Sequence, residues 1–95
     1  MSQHIFRQVS TIDGDTYSVM MGWDKPMQRF YCVMFVLPEL DEPIYSNLYD
    51  SHPNQTLWYY EKLVMEYGLT IPEGMLLEII QDERDNVVNK TKHWD

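Results

Sequence analysis

Residues 29 to 37 read Arg-Phe-Tyr-Cys-Val-Met-Phe-Val-Leu and constrain this chain more than any other stretch. Tyr31, Val33, Phe35 and Leu37 alternate with Phe30, Cys32, Met34 and Val36, so neither face has the polar rhythm of a strand that borders water. β-branched and aromatic residues dominate, and Pro26 and Pro38 punctuate the flanks, which favours a strand over a short buried helix. The expectation is a central strand around which the remaining elements pack.

Upstream, residues 4 to 12 mix Ile5, Phe6, Val9 and Ile12 with polar side chains and suggest an edge strand. Asp13-Gly14-Asp15 supplies a hairpin turn, since an Asp-Gly pair accepts positive φ. Residues 16 to 23 alternate cleanly, with Tyr17, Val19, Met21 and Trp23 on one side. The short link 24 to 28 then completes an antiparallel three-stranded meander. Residues 38 to 54 form an acidic loop in which 44 to 48 could add a fourth strand at the sheet edge.

Two helices follow. The first spans 55 to 67 and stops at Gly68, with Leu57, Tyr60, Leu63, Val64 and Tyr67 on its inner stripe. Trp58 and Met65 fall on the opposite side, beside Glu61, Lys62 and Glu66. The second opens on Thr70-Ile71-Pro72-Glu73, a capping-box spacing, and ends near Arg84. Met75, Leu76, Ile79 and Ile80 form its inner stripe, leaving Glu78, Asp82, Glu83 and Asp85 to water, and 86 to 95 are a polar tail. Strands first and helices after favour an α+β fold: one domain over 1 to 95, a meander of three or four strands with two helices packed on one face.

Fifteen acidic side chains against seven Lys and Arg give a net charge of -8, which repels nucleic-acid phosphates and anionic membranes. No apolar run is long enough to span a bilayer, and the single cysteine, set in the most apolar stretch, reads as a buried thiol, so the expected compartment is the cytoplasm. His4, His52 and His93 lack metal-ligand spacing and read as exposed or capping residues, and Asp13 with Asp15 lacks the further ligands of a calcium loop. No phosphate loop, dinucleotide fingerprint or serine elbow is present, so no catalytic residue, cofactor or metal is expected. Gly22-Trp23-Asp24-Lys25-Pro26 reads most simply as structural, a glycine at a close backbone approach, an aromatic anchor and a proline closing the turn, with a recognition site as the alternative.

From Phe30 to Glu61 there is no Lys or Arg, while aromatic residues stand among the acids. Aromatic anchors in a charged rim are the composition of protein-binding interfaces. The leading expectation is a non-enzymatic regulator or inhibitor that docks on a basic protein through Asp41, Glu42, Tyr45, Tyr49, Asp50, Trp58 and Met65. An inhibitor of a phage or mobile element belongs to that class. The alternatives are a small enzyme or ligand-binding domain with a pocket under the 38 to 54 loop, using Asp41, Asp50 and His52, and a homodimer that buries Trp58 and Met65 against its copy.

Overall fold

The computed structural model describes residues 1–38, 42–50 and 55–95, Tyr49 by its backbone alone. The chain runs through β1 (Ser2–Val9), β2 (Thr16–Asp24), β3 (Arg29–Val36), a two-residue β4 (Tyr45–Ser46), a 3-10 turn (Asn47–Tyr49), α1 (Leu57–Glu66), α2 (Met75–Asp85) and β5 (Lys90–His93). The strands lie in the order β4-β3-β2-β1-β5. Consecutive strands of the first four pair antiparallel, whereas β5 runs parallel to β1. The fold is therefore α+β as expected, and among the described residues the antiparallel meander of β1 to β4 is extended by the parallel β5 into a mixed five-stranded sheet.

Two strand assignments change with it. β1 is not an edge strand, because β5 pairs along its outer side from Ser2 to Ile5. β3 is interior as expected, but β2 occupies the middle of the sheet and β3 lies next to the short β4 edge.

Alternation along the strands sets the core. His4 and Phe6, Tyr17, Val19, Met21 and Trp23, and Cys32 and Met34 all point to the helical side and are buried. Leu57, Tyr60 and Val64 of α1, Met75 and Ile79 of α2, and Leu69 between the helices close that core. Each such side chain contributes about 1.5–3 kcal/mol when fully buried. Cys32 is buried with them, and that burial pushes its thiol up to about 12, so the thiolate is disfavoured.

The turns are held by small residues and side-chain hydrogen bonds. Gly14 adopts φ 77, and Asp13 accepts from the Asp15 backbone N–H and the Tyr17 hydroxyl. Gly22 is a close approach, because a Cβ there would lie 2.0 Å from the Ser2 carbonyl oxygen. Tyr31, its neighbour on β3, reaches across that gap and donates its hydroxyl to the same carbonyl at 2.6 Å. The structural reading thus accounts for Gly22, and Trp23 beside it is a buried anchor whose Nε1 donates to Asn86.

The capping box before α2 does not form. Gln8 of β1 clamps Thr70 instead, accepting from its N–H at 2.6 Å and donating to its carbonyl at 2.9 Å. The helix starts only at Met75, behind Gly74 at φ 87. No described helix is long and apolar enough to cross a membrane.

Candidate protein-docking face

α1 begins at Thr56, whose extended backbone and hydroxyl cap the helix by accepting the Tyr59 N–H at 3.2 Å. Gly68, at φ 78, ends the turn after it, and its carbonyl accepts from the Thr11 N–H. Between these stops the helix can bury only one stripe. Leu57, Tyr60 and Val64 take it, and Trp58 and Met65 are left 61% and 58% exposed. Seven residues apart, these two share one side of the helix, with Lys62 between them and Glu61 and Glu66 beside it.

Trp58 is also one wall of a groove of about 470 Å³ between the start of α1, the β2–β3 turn and α2. Phe30, Leu57 and Ile80 give it apolar lining, and Gln28, Gln55 and Glu83 its polar groups. Trp23 sits at its base, edge-on to Phe30 with ring centres 5.3 Å apart.

The other expected contact residues are placed differently. Asp50 is held by two phenols, accepting from Tyr45 at 2.9 Å and from Tyr59 at 3.0 Å. Burial, then Asp50, raises the Tyr45 phenol far above its ordinary range, and Asp50 likewise raises Tyr59, so both stay protonated donors. Tyr45 also packs against the core. This trio ties the loop to α1. Glu42 is exposed, whereas Asp41, His52 and the side chain of Tyr49 lie outside the described residues. Among the described residues, none of the 38 to 54 stretch lines the 470 Å³ groove.

The most tightly arranged polar cluster was not legible as a site. His4 is fully buried, not exposed, and its Nε2 lies 2.6 Å from Asp82 Oδ2. Trp94 Nε1 lies 3.0 Å from the other ring nitrogen, and since an indole N–H only donates, Nδ1 is an acceptor and the ring proton sits on Nε2. Asp82, expected in water, is 2% exposed and also accepts from Lys90 at 2.9 Å. Burial would raise its pKa, but hydrogen bonds from His4, Lys90 and Ser2 outweigh that and lower it. Glu78 bridges Lys90 and Lys92 and is lowered too, chiefly by the Lys92 hydrogen bond. The pair has the shape of an acid/base dyad, yet both ring nitrogens are engaged inside the protein. Its visible work is to fasten β1, α2 and β5 together. Among the described residues no group of three His, Cys, Asp or Glu is placed to hold a metal ion.

Comparison with protein-family models, with curated proteins and with solved structures finds no match to this chain.

Proposed function

We propose that the protein is a non-enzymatic interaction module, a regulator or inhibitor, that docks on a basic protein surface through the outer side of its helical layer. The observation that carries this reading is the exposure of Trp58 and Met65 on one side of α1. Leu77 of α2 adds a third large exposed side chain to the same layer. Exposed apolar anchors of this size in one region mark contacts more often than plain solvated surface. Glu61, Glu66, Glu73, Glu83 and Asp85 outnumber Lys62 and Arg84 around them, so the complementary surface is positively charged.

Affinity capture from the protein's own cells, run in parallel with wild type and a Trp58→Ser/Met65→Ser double variant, tests the proposal. Basic proteins retained by wild type, released by added salt and reduced at least tenfold on the folded variant are the expected result. An unchanged set of captured proteins would refute it. A wild-type dimer in light scattering that the double variant abolishes would assign the face to self-association instead.

A further inference from the structure

The side of the sheet that faces away from the helices carries an unusual surface. In a sheet with one solvated face the outward positions are ordinarily polar. Here the register sets His93, Ile5, Met20, Val33 and Ser46 side by side in one row across all five strands. Arg7, Ser18 and Phe35 form the next row. Ile5, Met20, Val33 and Phe35 are only half-buried; α1 and α2 pack on the opposite side, and the 3-10 turn borders Met20 and Val33 through Asn47 and Leu48. Among the described residues, the apolar character of both faces of β3 thus has a helical covering layer on one side only.

The face is shallowly sculpted. One concavity of about 250 Å³ is lined by Ile5, Arg7, Ser18, Met20, Phe35 and His93. A second, of about 190 Å³, includes Met20, Arg29, Tyr31, Val33 and the exposed Leu48, so Met20 stands between the two. Among the described outward strand positions Arg7 and Arg29 outnumber Asp24, against the acidic balance of the whole chain. Of the described acidic residues only Asp24, at a strand end, occupies an outward strand position. Neither Arg7 nor His93 pairs with a described carboxylate.

We infer that this bare face is a second docking surface, for an acidic amphipathic helix of another protein. The face of a sheet, unlike its edge, offers side chains and no free backbone hydrogen bonds, so the occupant must bring its own backbone already satisfied, as a helix does. Apolar anchors of that helix fill the two concavities on either side of Met20, and its carboxylates meet Arg7. Among the described outward strand positions, a second copy packed face to face would offer Arg7 only Asp24 at the strand end.

The test uses the full ¹⁵N-labelled chain and two synthetic amphipathic helices, one built of Leu and Glu and the other of Leu and Lys. The Leu/Glu helix is expected to shift amide resonances of Ile5, Arg7, Ser18, Met20 and Phe35, and Arg7→Glu to weaken it at least tenfold with the melting midpoint unchanged. Met20→Glu should remove the footprint altogether. A Leu/Glu footprint on α1, equal occupancy of the sheet face by the Leu/Lys helix, or no footprint at millimolar peptide would overturn the inference. So would self-association in light scattering that Arg7→Glu abolishes. Trp58 and Met65 are untouched by these variants, so this outcome is independent of the proposal for the helical layer.

Discussion

Replacing Asp82 by Ala removes the one carboxylate that His4, Lys90 and Ser2 share. His4 is fully buried, so its Nε2–H loses its only acceptor, a stranded donor worth about 1–3 kcal/mol. Lys90 suffers less, because it is partly exposed and keeps Glu78 at 3.0 Å. Breaking one side of a buried charged cluster costs about 3–5 kcal/mol, and the relief of burying a carboxylate places this case at the lower end, about 3 kcal/mol. For a domain of this size that is a fall of about 12–24 °C in Tm. Urea unfolding of wild type, Asp82→Ala and Asp82→Asn at pH 7 and about pH 2.5 is the assay. Because the folded pKa of Asp82 is lowered, its contribution is complete above the ordinary carboxylate value of 3.8 and is lost as pH falls through the folded value. The advantage of wild type over Asp82→Asn must therefore shrink on acidification. A loss below about 1 kcal/mol in Asp82→Ala, or an advantage that persists in acid, would refute the assignment of Asp82 as the fastening between β1, α2 and β5.

Trp58→Ala is expected to leave the melting temperature nearly unchanged, whereas Leu57→Ala, one residue away on the buried stripe, costs about 2–5 kcal/mol by thermal melt. Gly22→Ala forces Ser2 away from β2 and should speed hydrogen exchange at the amides of Gln3 and Trp23 more than at those of β3. Cys32 should react with a thiol reagent far more slowly in the folded protein than in urea, and equal rates would contradict its burial.

The elements that hydropathy describes were legible in the chain. β2, β3 and both inner helical stripes follow from apolar spacing, and the exposure of Trp58 and Met65 follows from the same helical period. What escaped depends on polar side chains satisfied by partners remote in sequence. Asp82 reads as a surface residue until His4, 78 positions away, is brought against it. β5 has no apolar alternation because its inward residues, Lys90 and Lys92, face carboxylates of α2 and not the core. The capping box was a sound local signal, displaced by Gln8 from a strand 62 positions earlier. For the candidate face, the composition of the acidic loop pointed to Asp50 and Tyr45 as contact residues, but composition carries no sign that they are tied to each other and to Tyr59.

The parallel pairing of β5 with β1 also bears on how the chain reaches its native state during synthesis. Among the described elements β1 is synthesised first and β5 last, and these two strands pair with each other. At a typical elongation rate of about 5–20 residues per second, several seconds separate the emergence of the two. Throughout that interval β1 has an unpaired outer edge, and His4 waits for the indole of Trp94 that will cover it. Until the four polar residues of β5 arrive, the nascent domain therefore carries an open strand edge.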